Sequence, residues 1–230
     1  MTKNPIYCAI DTNNIKQAFE LVEKIKSSIG GIKLGLEFFT HCGIDGVNQI
    51  KKFGLPIFLD LKLYDIPNTV KSALEGILAL EPELATLHTL GGLEMLSVCA
   101  DLRDSIQSKT KLIGVTVLTS FNEVGIKEIG IQDSLEDQVM RLTQLASLSK
   151  LDGVVCSPHE IIKIKEAYGN TIQLIVPGIR NIDQTANDQK RTMSAKEAID
   201  VGADILVIGR PITQAANPEK AARDIFNSIQ

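Results

Sequence analysis

The chain has 230 residues, 44% of them hydrophobic, four cysteines and a formal net charge of −4. That length and apolar content suit one domain with a sizeable core, and the acidic balance argues against a general nucleic-acid or anionic-membrane binder. No apolar run approaches the roughly 18 residues a membrane span needs, and the opening Ile6-Tyr7-Cys8-Ala9-Ile10 is too short for the apolar part of a secretion signal, so a cytoplasmic protein is expected.

Short apolar runs alternate with longer amphipathic stretches. The runs at 6–11, 31–36, 57–62, 84–88, 112–118, 152–155, 172–176 and 204–208 read as strands. Helical spacing recurs in 15–29, where Ile15, Ala18, Phe19, Val22, Ile25 and Ile29 share a face. Similar faces occur in 68–80, 93–107, 134–148, 158–168, 194–201 and 212–227. Ser157-Pro158 and Ser194 are helix-start signals, and Gly202 is a helix stop. Strand–helix units repeated without a Pro- or Ser-rich linker predict a single α/β domain over 1–230, a (β/α)8 TIM barrel. An open doubly wound sheet is the alternative. Two long connections, 119–133 and 177–193, follow strands and are expected at the C-terminal mouth as functional loops. Cys8, Cys42, Cys99 and Cys156 form no Cys-x-x-Cys pair and read as small buried hydrophobes.

Strand side chains alternate faces. In 57–62, Leu59 and Leu61 take the helix side, which turns Phe58, Asp60 and Lys62 inward. In 31–36 the same rule turns Lys33 and Gly35 inward, and in 6–11 it leaves Asp11 inward at the end of the run. Four charges therefore converge on the barrel axis, and Asp65 follows just beyond the third strand. An unpaired buried charge costs several kcal/mol, so alternating Asp and Lys must satisfy one another or stay wet. A purely structural ion-pair network is one reading. Interior lysines near a barrel mouth fit catalysis better, because Val, Ile and Leu fill an interior at far lower cost. The two lysines take the space and charge a divalent cation would fill, so no metal is expected. His88, at the end of the fourth strand, reads as hydrogen-bonded framework; nothing singles out His41 or His159.

The other end of the expected site is anionic in preference. Val207-Ile208-Gly209-Arg210-Pro211-Ile212 closes the eighth strand and opens a helix. Gly209 admits a ligand to the backbone, Pro211 suits the first helical turn, and Arg210 offers a bidentate donor. Val176-Pro177-Gly178-Ile179-Arg180 supplies a second glycine and arginine after the seventh strand. Phosphate sites of this fold commonly use these two loops. The residues alone thus describe a barrel that binds a phosphorylated small molecule and acts on it by acid–base or electrostatic catalysis; no Ser or Cys nucleophile constellation is visible.

The stretch Phe58-Leu59-Asp60-Leu61-Lys62-Leu63-Tyr64-Asp65-Ile66-Pro67-Asn68-Thr69-Val70 resembles the signature of the orotidine 5'-phosphate decarboxylases. The resemblance runs along essentially the whole chain, through Ala9-Ile10-Asp11, Lys33-Leu34-Gly35, His88-Thr89, Thr119-Ser120, Pro177-Gly178-Ile179-Arg180, Asp188-Gln189-Lys190-Arg191 and Ile208-Gly209-Arg210. Leu63, Tyr64 and Ser194 stand at positions where the family pattern differs, away from the chemistry. The resemblance implies a carboxy-lyase that converts orotidine 5'-phosphate to UMP and CO2 in de novo pyrimidine synthesis, with no metal or organic cofactor. It implies Lys62 as proton donor to C6, Asp60 beside the substrate carboxylate, Lys33 bridging Asp60 and the ribose, and Asp11 on ribose hydroxyls. It implies Arg180, Gln189, Gly209 and Arg210 on the phosphate, and Thr119 or Ser120 on the base. It also implies a homodimer with shared active sites, Asp65 and Thr69 reaching into the partner's site. Two rivals remain: a Mg²⁺-dependent phosphosugar barrel enzyme such as a hexulose-phosphate synthase or keto-gulonate-phosphate decarboxylase, and a non-catalytic nucleotide-binding module on the same fold.

Overall fold

The computed structural model describes residues 4–180 and 192–230. Each run read as a strand carries one: β1 (Ile6–Ala9), β2 (Gly31–Gly35), β3 (Ile57–Leu63), β4 (Leu84–His88), β5 (Lys111–Val115), β6 (Gly153–Val155), β7 (Gln173–Val176) and β8 (Ile205–Ile208). Among the described residues these strands are all parallel, and β1 pairs with both β2 and β8. The sheet is therefore closed. A doubly wound sheet, which would leave two edges, is excluded, and the architecture is a (β/α)8 TIM barrel.

The helices lie outside it in chain order: α1 (Ile15–Ile25), α2 (Leu36–Lys51), α3 (Pro67–Leu78), α4 (Gly92–Ser105), α5 (Glu123–Glu128), α6 (Leu135–Leu148), α7 (Ile161–Tyr168), α8 (Ala195–Asp200), α9 (Arg210–Thr213) and α10 (Pro218–Ser228). The start and stop signals act as expected. Ser157 and Ser194 form capping boxes with Glu160 and Glu197. Gly202 follows α8 at φ 112, a backbone conformation open to glycine. Among the described residues, no helix is long and apolar enough to cross a membrane.

Three helical features depart from the sequence pattern. Periodicity assigns no helix to 36–51, yet α2 fills it. Gly43 sits there at φ 58 and ψ −160, so the helix kinks and its buried face is set by Phe38 before the kink and by Val47 and Ile50 after it. No single stripe survives that break. The connection 119–133, expected to be irregular, contains α5, whose N-terminus is capped by the Asn122 side chain accepting from the Gly125 N–H. The last helix is two: α9 stops at Thr213 and α10 restarts at Asn217-Pro218, where Asn217 caps and Pro218 disfavours a helical residue before it.

The core follows strand alternation. Ile6, Cys8, Ile10, Leu34 and Leu59 point outward into the layer between barrel and helices, where Cys99 and Cys156 are also buried. Inside the barrel, Tyr7, Phe58, Leu84, Ile113, Ile175 and Ile205 form a separate apolar layer. Gly31 makes that layer possible, because a Cβ there would lie 2.3 Å from the Tyr7 ring.

Candidate active site

The C-terminal mouth of the barrel opens into a cavity of about 550 Å³. Phe58 and Ile175 from the apolar interior layer form part of its lining. Above them stand the charges. The Lys62 Nζ donates to Asp60 Oδ1 at 2.8 Å, with the two side chains 30% and 14% exposed. The Lys33 Nζ donates to Asp11 Oδ1 at 2.9 Å. The array is thus two ion pairs, one within β3 and one joining β2 to the end of β1. Each lysine holds its own carboxylate, so neither charge pair carries the full cost of burial.

Local geometry makes room for this. Gly35 lies next to the second pair, and a Cβ on it would stand 2.9 Å from Lys33 Nζ and 3.3 Å from Asp11 Oδ1. β3 leaves regular pairing at the first pair: Leu59 lies opposite Ala85 and Leu63 opposite Leu87, so four steps on β3 run beside two on β4. Within this bulge Lys62 adopts φ 51, a region that residues other than glycine rarely enter. Simple alternation therefore names the right residues, Asp60 and Lys62, while the backbone that presents them is not a simple strand.

Across the ring, Arg180 follows β7, Gly209 and Arg210 follow β8, and all three line the cavity. Gly209 caps α9, with its carbonyl accepting from the N–H groups of Ile212 and Thr213 at 2.9 and 3.0 Å. Thr119 and Ser120, beyond β5, line it too. Of the residues expected at the site, the cavity gathers Asp11, Lys33, Asp60, Lys62, Thr119, Ser120, Arg180, Gly209 and Arg210. Asp65 and Thr69 are exposed and do not line it. Asp65 instead accepts the Ile66 N–H at 2.7 Å. Gln189 lies outside the described residues, as does most of the connection 177–193.

His88 is a framework residue. Its Nδ1 accepts the Leu90 N–H at 3.3 Å and caps the short turn Thr89–Gly91, which fixes the remaining proton on Nε2. Burial and then the nearby Lys62 charge lower its pKa from the ordinary 6.5. Glu37 and Gln214, which no sequence motif singled out, also line the cavity, as do Pro177 and Thr213. Sequence reasoning passed over Thr86 as well, whose hydroxyl meets both Lys62 and Asp60. The signal was present, because alternation in Leu84-Ala85-Thr86-Leu87-His88 turns Thr86 inward beside the charges.

Residues 4–225 match the model of the Orotidine 5'-phosphate decarboxylase / HUMPS family. The chain belongs to this family. The orotidine 5'-phosphate decarboxylase of Ehrlichia chaffeensis is 48% identical over 231 residues, covering 100% of this chain and 98% of that relative. The enzyme of that name from Erythrobacter litoralis is 45% identical over 222 residues, covering 96% and 97%. The crystal structure of orotidine 5'-phosphate decarboxylase from Lactobacillus acidophilus matches with a TM-score of 0.86 at 32% identity, covering 99% of each chain. The family's description joins two groups, and these three relatives carry the name of the first.

Proposed function

We propose that this chain decarboxylates orotidine 5'-phosphate to UMP and CO2 in pyrimidine biosynthesis, using no metal or organic cofactor, with Lys62 as the proton donor to C6. The observation that carries the reading is the Lys62–Asp60 pair at 2.8 Å, facing a cavity whose far wall holds Arg180 and Arg210. The near-full-length relatives named for this reaction support the substrate.

The chemistry suits these groups. Breaking the C6–carboxylate bond releases CO2 and leaves the electron pair on C6, a carbon with no adjacent electron sink. A fixed ammonium at Lys62 stabilises that charge and then gives it a proton, leaving a neutral amine that solvent reprotonates. Asp60 keeps the ammonium charged and in place. In this reading Asp11 and Lys33 take the ribose hydroxyls, Thr119 or Ser120 the base, and Arg180, Gly209, Arg210 and Gln189 the phosphate; all but Gln189, which lies outside the described residues, line the cavity. Remote phosphate binding then serves the distant bond-breaking step. Asp60 and Asp11 are each held by a lysine, at 2.8 and 2.9 Å, which supports a reaction without a divalent cation on these two carboxylates.

The same reading includes a homodimer with shared sites. Asp65 and Thr69 are exposed and do not line their own cavity, and large apolar side chains after β3 and β4 are exposed too: Tyr64 60%, Ile66 67%, Leu90 41% and Leu93 47%. Such exposed apolar groups after β3 and at the start of α4 suit a second copy, into whose site Asp65 would reach.

Purified protein mixed with orotidine 5'-phosphate and excess chelator should consume the substrate's ultraviolet absorbance and release CO2. Turnover that requires added Mg²⁺, or that appears only with a phosphosugar, would move the chain to the phosphosugar group. UMP binding with no turnover would make it a binding module.

A further inference from the structure

We infer that Thr86 is a positioning residue for the decarboxylation, holding Lys62 at both of its ends; the inference rests on the reading of Lys62 as proton donor. Thr86 is buried on β4, opposite the bulge in β3, between the partners of Leu59 and Leu63. Its Oγ1 accepts the Lys62 N–H at 2.8 Å and donates to Asp60 Oδ1 at 3.2 Å. The Lys62 Nζ donates to that same Oδ1 at 2.8 Å. One hydroxyl therefore ties the main chain of Lys62 directly and its ammonium through Asp60.

A hydroxyl is suited to this place because it offers one donor and two acceptor lone pairs, and both roles are used. In a regular parallel ladder alternate residues of β3 bond to β2 and to β4, and the even-numbered positions face β2, as Pro56 does in accepting the Ile32 N–H. The register shift instead turns the Lys62 N–H toward β4, where the threonine side chain accepts it. Lys62 at φ 51 is a conformation that persists only where its surroundings hold it. The Thr86 hydroxyl supplies such a hold, and the same atom fixes the carboxylate that the ammonium must meet. Thr86 does not line the cavity, so its effect is on where Lys62 stands rather than on how substrate binds.

The test is steady-state kinetics with orotidine 5'-phosphate on wild type, Thr86→Val, Thr86→Ser and Lys62→Ala, each checked for folding by thermal melting. Thr86→Val keeps the shape and removes both bonds, so kcat should fall by roughly 10- to 100-fold, the scale of one hydrogen bond to a charged group. KM should stay within about threefold, because the phosphate end is untouched. Thr86→Ser restores the hydroxyl and should bring kcat back to within about threefold of wild type. A Thr86→Val enzyme with wild-type kcat, beside an inactive Lys62→Ala, overturns the role of Thr86 and leaves that of Lys62. Equal losses in the valine and serine proteins also overturn it, since the methyl group and not the hydroxyl would then matter. A Lys62→Ala enzyme at full rate overturns both. Should the valine protein fail to fold, Thr86→Cys, of similar size and weak hydrogen bonding, carries the same expectations.

Discussion

The barrel interior holds two layers built from the same strands, and they differ in every property that matters. The deeper layer, Tyr7, Phe58, Leu84, Ile113, Ile175 and Ile205, is apolar and at most 5% exposed. The inward positions that follow are Asp11, Lys33, Asp60 and Lys62, which line an open cavity and exist as two ion pairs. Phe58 and Asp60 are two residues apart on one strand. The difference teaches where each kind of residue can be placed. Charges at the mouth gain little for folding, because pairing only offsets their desolvation. The layer beneath them closes the ring, and its burial is favourable throughout. Chemistry is thus mounted on a frame it does not have to support.

The comparison breaks if substitutions in the two layers have the same consequences. On the proposed role of Lys62 as proton donor to C6, Lys62→Ala should lower kcat by about 10⁴-fold. Its melting temperature should move less than that of a deep-layer variant. Ile113→Ala should do the reverse. Ile113 is fully buried and outside the cavity lining, so truncation should cost about 2–5 kcal/mol of stability. Its kcat per folded molecule should stay within about twofold of wild type. Urea unfolding and active-site-normalised kinetics on both variants decide it; a large stability loss in Lys62→Ala with a large rate loss in Ile113→Ala would erase the distinction.

Much of this was legible in the sequence, for physical reasons that also mark the gaps. Parallel strands buried on both sides are continuous apolar runs, so all the strands stood out. Alternation then turned Asp60, Lys62 and Lys33 inward without any knowledge of the fold's closure. It could not foresee the bulge at Lys62, because a register shift depends on β4 as much as on β3. The expected bridge from Lys33 to Asp60 is not what the structure shows: Lys33 pairs with Asp11 across two strands, through the space Gly35 leaves, and Asp60 pairs with Lys62. α2 was missed because Gly43 splits its buried face. Asp65 illustrates the opposite case. Its motif is conspicuous, yet the chain by itself leaves it outside the cavity.

The upper layer itself can be sharpened into a binding end and a reacting end. If Arg210 binds the phosphate as proposed, Arg210→Ala should reduce kcat/KM by about 100-fold although Arg210 stands across the ring from Lys62, because phosphate binding energy would then be used at the distant bond. Unchanged kcat/KM for the phosphate-bearing substrate would remove Arg210 from the site. Gly35→Ala should act more weakly. The new Cβ would crowd Lys33 Nζ at 2.9 Å and Asp11 Oδ1 at 3.3 Å, and the flexible end of Lys33 can give way. KM should rise by about three- to tenfold with little change in melting temperature. A wild-type KM would show that the Lys33–Asp11 pair does not touch the sugar.

The smallest effect concerns the framework beneath the reacting end. His88 caps the turn after β4 with a neutral ring, and burial, then Lys62, lower its pKa from the ordinary 6.5. Below about 6.5 the unfolded chain takes up a proton that the folded ring resists, so the unfolded state binds more protons. Stability contributed here is therefore complete above that pH, declines as pH falls toward the lower folded value, and levels off beneath it. Unfolding free energies measured as pH is lowered from about 7.5 should show this slope in wild type. His88→Asn keeps a side-chain acceptor for the Leu90 N–H and has no titrating group, so its slope should be shallower. Lys62→Ala should also flatten it, because part of the resistance to protonation comes from the Lys62 charge. Identical slopes in wild type and His88→Asn would mean that the turn after β4 does not sense the charge on β3, and the two layers would then be coupled only through packing.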